Sequence, residues 1–386
     1  MIFKQKKPNK KIGLIMTGGG ARAAYHVGVL KAIAELVPKD AHNPFHIICG
    51  TSAGAINAAA LASHAFNFRK SVFKLLSIWE NFHVRHVFCD DVATILYIAW
   101  QWFLSIIFAG RGRRKRYLYL LDRKPLRKLL NKYVYTKDIQ YSIDQGYLDA
   151  LCITASGYTS HQSVSFFHGS ENLQSWTRLQ RVGVKAKITV DHLMASSAIP
   201  FLFSPQKINR EHFGDGSMHQ TAPISPALHL GADRVLVIGN RVAQLDKVER
   251  VVEEGEPTIG QIAGHALDSI FLDSLEADIE RLQRINKTIS LIAEKDRLKN
   301  DVNLRVVDVL AIIPSEDMGR MASDYVNELP WTIRFLLRGI GGTDKKESNL
   351  VSYLLFEKGY CRKLIDLGYR DAMQNKNELI KFLNIN

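Results

Sequence analysis

The stretch Cys-Gly-Thr-Ser-Ala-Gly at positions 49–54 constrains this chain more than any other. Gly50, Ser52 and Gly54 give the pattern G-x-S-x-G, set between the apolar run Phe45–Cys49 and the alanine-rich run Ala55–Ala62. That order predicts strand, sharp turn and helix, because glycines two residues either side of the serine let the backbone bend tightly and neighbouring chain pack close. A serine on such a turn projects its hydroxyl clear of the sheet. Ser52 is therefore a candidate nucleophile, with Gly50 and Gly54 shaping its elbow. The plain alternative is a turn whose serine merely caps the following helix.

Upstream, Ile12–Met16 reads as a short buried strand, followed by Thr17, Gly18, Gly19 and Gly20 and then a helix. Ala23, Val27, Leu30, Ala34 and Val37 recur at helical spacing, and Pro38 closes the segment. The unit is strand, glycine loop, helix, and its backbone amides suit an anion. Two functions fit. Gly18, Gly20 and Ala23 match G-x-G-x-x-A, the dinucleotide fingerprint. The same amides could instead stabilise the oxyanion of a tetrahedral intermediate. A dinucleotide site also wants an acid at the end of the second strand, and here that strand runs into the serine turn.

Downstream, Phe66–Glu80 has Val72, Leu75, Leu76 and Trp79 at helical spacing, and Leu151–Thr159 with Ser163–His168 reads as a hairpin. Asp191–Ala198 is a short helix ended by Pro200, and Gly214-Asp215-Gly216 places an acid on a tight turn. Ala232–Gly239 is the clearest buried strand, as expected of a parallel strand covered on both faces. From Thr258 the chain is mainly helical, with a late strand at Val306–Ile313, a helix at Tyr353–Leu367 and a polar C-terminal helix. Trp331–Gly341 mixes apolar residues with Arg334 and Arg338, which fits an interfacial helix or a core helix with two snorkelling arginines. Strands alternating with helices argue for an α/β layered sandwich.

Composition adds partners rather than chemistry. With 46% hydrophobic and 23% charged residues, the 386-residue chain is of globular type. Its formal charge of +13 argues for an anionic partner, either a membrane surface or nucleic acid, and no nucleic-acid module is recognisable. Val92–Gly110 contains no charged residue, carries Trp100 and Trp102, and is followed at once by Arg111, Arg113, Arg114, Lys115 and Arg116. An apolar segment backed by a basic cluster is what attachment to anionic headgroups needs; a buried helix with a solvated basic loop is the bland reading. Cys49, Cys89, Cys152 and Cys361 show no metal or disulfide spacing, which fits a reducing compartment. The lysines before Ile12 precede an apolar run too short for a cleaved signal peptide, and no loop has calcium-ligand spacing. No metal or cofactor is expected.

Taken together, Gly18-Gly19-Gly20-Ala21-Arg22, Gly50-Thr51-Ser52-Ala53-Gly54 and Asp215-Gly216, in that order, resemble the patatin-like phospholipase family of bacterial type. Ala195–Pro200, Ala-Ser-Ser-Ala-Ile-Pro, is similar to the family's helix before the acid. The resemblance spans roughly Ile12–Gly239. It implies a three-layer α/β/α sandwich with a mainly parallel central sheet, a hydrophobic helical insertion at about 90–125 and a helical C-terminal portion. The expected organisation is a basic tail at 1–11, a catalytic domain at 12–257 and a helical portion at 258–386 packed on it. It further implies acyl-ester hydrolysis by a dyad, with Ser52 as nucleophile, Asp215 as base, and Gly18, Gly19, Gly20 and Arg22 making up the oxyanion-hole segment. Ser217 departs from the glycine or alanine commoner after Asp-Gly. His219, His229 and His265 leave a Ser, Asp, His order formally available. The expected substrate is a phospholipid or other acyl-ester lipid, and the expected place is cytoplasmic, peripherally or monotopically associated with an anionic membrane. A single true crossing at 92–110 would put Ser52 and Asp215 on opposite sides of a bilayer, so that segment is expected to be a lid, an insertion or one arm of a pair. The competing classes are a membrane-bound interaction protein with a degenerate site and the dinucleotide-binding enzyme.

Overall fold

The computed structural model describes residues 10–107, 119–241, 256, 258–293, 296–297, 304–339, 341 and 348–385. Among these, ten strands form one sheet. In chain order they are β1 (Ile12–Met16), β2 (Ile47–Thr51), β3 (Ala150–Gly157), β4 (Ser163–Gly169), β5 (Trp176–Arg178), β6 (Arg181–Lys185), β7 (Gln206–Ile208), β8 (Glu211–Asp215), β9 (Arg234–Ile238) and β10 (Asp308–Ile312). The first helices are α1 (Ala24–Leu36), α2 (Ala53–Ala62), α3 (Phe68–Glu80), α4 (Val92–Ile107), α5 (Lys124–Tyr133), α6 (Thr136–Asp144), α7 (Val190–Ser196) and α8 (Ser225–His229). Later ones are α9 (Ile259–Ser290), α10 (Met318–Ala322), α11 (Trp331–Gly339), α12 (Ser348–Leu354), α13 (Lys358–Gln374) and α14 (Lys376–Leu383).

The centre of the sheet is parallel, in the order β10-β9-β1-β2-β3, and β4 and β8 add to β3 in antiparallel fashion. Successive side chains of a strand point to opposite faces, so each apolar run feeds two cores. Leu14, Met16, Ile48, Leu236 and Ile238 belong to one, shared with α1, α2, α3 and α13. Ile15, Ile47, Val235 and Val237 belong to the other, shared with α8 and α9. The result is the expected three-layer α/β/α sandwich. Because β10 pairs with β9, the C-terminal portion contributes to the same sheet as β1.

Several expectations change. The helix expected over Tyr353–Leu367 is two helices, broken at 355–357. There the Glu357 carboxylate accepts the Val84 N–H at 3.2 Å and pairs with His83 at 2.8 Å, partners that local periodicity cannot reveal. β5, β6 and β7 are short strands that the sequence reading left out, and Asp215 ends strand β8 where only a tight turn was expected. In the 92–110 segment α4 runs to Ile107, with Trp100 exposed on it. Arg111, Arg113, Arg114, Lys115, Arg116 and the Trp102 side chain lie outside the described residues, as do positions 1–9. Among the described residues no helix is long and apolar enough to cross a membrane.

Candidate active site

The sheet register brings the serine and the acid together. β2 lies between β1 and β3, with Gly50 opposite Met16 and Thr51 opposite Thr154. β8 runs antiparallel to β3 and sets Asp215 opposite Ala155. Ser52 is one step past Thr51, and Ala155 is one step past Thr154. Two side chains 163 residues apart in sequence therefore meet, with Ser52 Oγ donating to Asp215 Oδ2 at 2.6 Å.

Ser52 adopts φ 55° and ψ −127°, a conformation that costs an L residue on the order of 1–3 kcal/mol and must be held by its surroundings. The holding is visible. Its N–H donates to Ser196 Oγ at 2.9 Å, and the Ser196 hydroxyl donates to the Thr154 carbonyl at 2.6 Å. A Cβ on Gly54 would collide with the carbonyl oxygens of Met16 and Thr17, so the elbow can press against the end of β1 only as glycine. The Ser52 side chain makes no capping bond to α2. Its hydroxyl is committed to the acid, which disposes of the simple capping role.

Asp215 is fully buried. Its Oδ1 accepts the Ser217 N–H at 3.0 Å, and its own N–H donates to the Ala198 carbonyl at 2.9 Å. Burial pushes its pKa from the ordinary 3.8 up to about 6, against the opposing pull of the Ser52 and Ser217 hydrogen bonds and the Arg123 charge. Arg123 is itself buried, donating to the Met194 and Ser204 carbonyls and to Ser197 Oγ. Burial lowers it to about 10 while the Asp215 charge works the other way. The guanidinium stays charged near neutrality and keeps a positive field on the acid. Ser217, which departs from the usual small residue, supplies that Oδ1 bond through its backbone and leaves the turn intact.

Among the described residues no histidine is hydrogen-bonded to Ser52 or Asp215. Ser52 and Ser217 occupy the two Asp215 oxygens, and among the described residues His219 Nδ1 has no hydrogen-bond partner. His229 stacks on Trp176 with ring centroids 4.9 Å apart, and His265 is exposed on α9.

The glycine loop leaves β1 beside the elbow. The Gly18 carbonyl accepts from Asn240 Nδ2 at 2.6 Å. Gly20 has φ 56°, and a Cβ there would strike the Tyr353 carbonyl. Arg22 follows directly on the loop. Its N–H donates to Gly19 O at 3.1 Å, and its buried guanidinium donates to Ser352 Oγ at 2.8 Å, Tyr353 OH at 3.1 Å and Asp268 at 3.4 Å. Arg22 thus faces α9 and α12 and anchors the loop to them.

An apolar cleft has Ser52 and Gly20 in its lining. Three helix faces line it at spacings of three, four and seven, which places each set on one side of its helix. They are Ala53, Ile56 and Ala60 of α2, Leu75, Ile78 and Trp79 of α3, and Leu126, Leu129, Leu130 and Tyr133 of α5. Trp79 spends its one polar atom on Asn57 Oδ1 at 2.9 Å, so only carbon faces the cleft. A hydroxyl bonded to a raised-pKa acid, on the lining of an apolar cleft, has the arrangement needed to attack a carbonyl whose chain lies in that cleft.

The sequence pointed to Ser52, Asp215 and the glycine loop because glycines flank or form each. It gave no signal for Arg123, which sits among other basic residues, or for Asn240, a lone amide. Ser196 was present within Ala195–Pro200, though its hold on the Ser52 amide could not be read there.

Comparison with known proteins places the chain. A sequence model described as patatin-like phospholipase matches residues 14–228, more than half of the 386. Among solved structures, VipD from Legionella pneumophila is similar at 14% identity and a TM-score of 0.34, over 96% of this chain and 67% of that one. The heterodimeric ExoU–SpcU complex of the type III secretion system of Pseudomonas aeruginosa matches at 15% identity and a TM-score of 0.30, over 96% of this chain and 77% of that one. The family follows from the sequence match over residues 14–228. The chain belongs to the patatin-like phospholipase family and is a lipid acyl hydrolase.

Proposed function

We propose that the chain cleaves an acyl ester of a phospholipid or related lipid at a membrane surface, with Ser52 as nucleophile and Asp215 as its base. The 2.6 Å Ser52–Asp215 hydrogen bond, with Ser52 on the lining of an apolar cleft, carries this reading. As Ser52 Oγ attacks the ester carbonyl, its proton passes to Asp215 Oδ2 and the carbonyl oxygen becomes an oxyanion. The amides of Gly18, Gly19 and Gly20, with the N-terminal end of α2, are the donors proposed to stabilise it. Collapse expels the alcohol, which takes the proton back from Asp215, and leaves the acyl group on Ser52. Water then attacks the acyl ester, losing its proton to Asp215, and releases the fatty acid as Ser52 is reprotonated.

In this reading Arg22 acts as an anchor for the oxyanion loop. Residues 12–257 form the catalytic portion, and the helical 258–386 portion supplies the partners that hold Arg22, namely Asp268, Ser352 and Tyr353. Mass-spectrometric product analysis on mixed phospholipid vesicles tests the proposal. Wild-type protein should release fatty acid and the matching lysolipid, while Ser52→Ala and Asp215→Asn should each lose at least about a thousandfold in rate. Equal product from Ser52→Ala would end the proposal.

A further inference from the structure

Two helices turn their apolar residues outward, and they start side by side. On α4, Val92, Leu96, Tyr97 and Trp100 are 43%, 64%, 62% and 55% exposed; on α11, Trp331, Phe335 and Leu336 are 63%, 70% and 42% exposed. α11 buries Thr332, Ile333 and Leu337 on its other side, and the Thr332 hydroxyl donates to the Asp90 carbonyl at 2.8 Å, just before α4. Val92 and Trp331 line one cleft between the helix starts. A monomer in water rarely exposes that much clustered apolar surface without a partner for it.

We propose that the outward faces of α4 and α11 together form a docking surface for a bilayer containing anionic phospholipid. The chemistry of α11 selects that partner. Trp331, Phe335 and Arg338 follow at spacings of four and three, giving one stripe of aromatic rings ending in an exposed cation, the composition of a helix lying in the headgroup region. The whole chain carries +13, which favours an anionic surface. Of the acids lining that cleft, Asp90 is paired with Arg85 at 3.1 Å and Glu357 with His83 at 2.8 Å, while Asp91 and Glu328 accept backbone N–H groups, of Thr94 at 2.8 Å and Gly359 at 3.1 Å.

The surface also lies against the channel. Phe82, Val87 and Phe356 line the apolar channel, while their neighbours His83, His86 and Glu357 line the cleft between α4 and α11. One thickness of chain separates the two, and the His83–Glu357 contact at 2.8 Å ties its strips together. A bilayer on this face therefore lies next to the wall of the acyl channel. That last step rests on the hydrolase reading, whereas docking itself does not.

Vesicle co-sedimentation at low salt, run beside turnover of a water-soluble short-chain ester, tests the proposal. Wild-type protein should bind phosphatidylcholine vesicles containing phosphatidylglycerol. Phe335→Glu and the double variant Leu96→Glu, Trp331→Glu should bind about tenfold or more weakly, with ester turnover within about twofold of wild type. Phe335→Leu, which keeps an apolar side chain, should retain binding. Unchanged binding by both glutamate variants, or no binding by the wild type, would overturn the docking surface. So would a wild-type dimer that Phe335→Glu dissociates without affecting vesicle binding, since a second copy would then be the occupant. Absence of ester turnover in every form would count against the hydrolase reading and leave the docking result standing.

Discussion

At the scale of the residue, Asp215 carries a cost that the proposed chemistry uses. With no solvent exposure, its pKa rises from 3.8 to about 6, so ionising it in the folded protein is unfavourable relative to the unfolded chain. The sign follows directly. Below pH 4 the acid is protonated in both states and costs nothing. Between about pH 4 and 6 the unfolded chain ionises first, and above 6 the full penalty applies. About two pKa units correspond to about 3 kcal/mol at 1.36 kcal/mol each. Asp215→Asn should thus be more stable than wild type at pH 8 by up to about 3 kcal/mol, with the difference vanishing near pH 4, as measured by urea unfolding at both pH values. Activity runs the other way: kcat/KM should rise through about pH 6 and level off, because the base must be ionised before it can accept a proton. A flat profile from pH 5 to 8, or an asparagine variant equally stable at both pH values, would contradict the burial argument. The +55° φ of Ser52 is a second local cost, borne by Ser196 and the backbone of β3.

Elements set the register of the channel. α2 begins at the nucleophile and presents Ala53, Ile56 and Ala60 to the apolar cleft. At 1.5 Å per residue, Ala60 lies about 12 Å along the helix from Ser52, so its small side chain leaves room for the far part of an acyl chain. Ala60→Phe should shift preference towards shorter chains, with turnover of a palmitoyl ester falling about tenfold or more relative to a butanoyl ester. An unchanged chain-length profile in the folded variant would mean the acyl group lies elsewhere. The elements themselves were unevenly legible in the sequence. β1, β2 and β9 announce themselves through the apolar runs Ile12–Met16, Ile47–Cys49 and Val235–Ile238, because both their faces are covered. β5 and β7 are three residues long at the margins of the sheet, too short to show a period. The break between α12 and α13 was hidden because apolar residues continue through Leu355 and Phe356, and Glu357 ends the run through a tertiary contact with His83. Likewise, Gly18, Ser52 and Asp215 could be read as parts of a site from their local glycines. Arg123, Asn240 and the turn of the buried Arg22 towards Asp268 depend on partners more than seventy residues away.

For the whole molecule, the strands, the loop and the C-terminal helices act as one support. β1 and β2 put the glycine loop and the serine side by side at the carboxyl ends of adjacent parallel strands, where open α/β sheets form their clefts. β3 and β8 bring the acid, and Arg22 ties the loop to α9 and α12. On the proposed mechanism this assembly makes Ser52, and no other serine, nucleophilic through Asp215. Its most direct measurement is covalent capture by a long-chain fluorophosphonate, followed by peptide mapping. A single adduct should form on Ser52, at least about a hundredfold more slowly in Asp215→Asn. An adduct on another residue, or equal labelling of the Asp215→Asn variant, would contradict it.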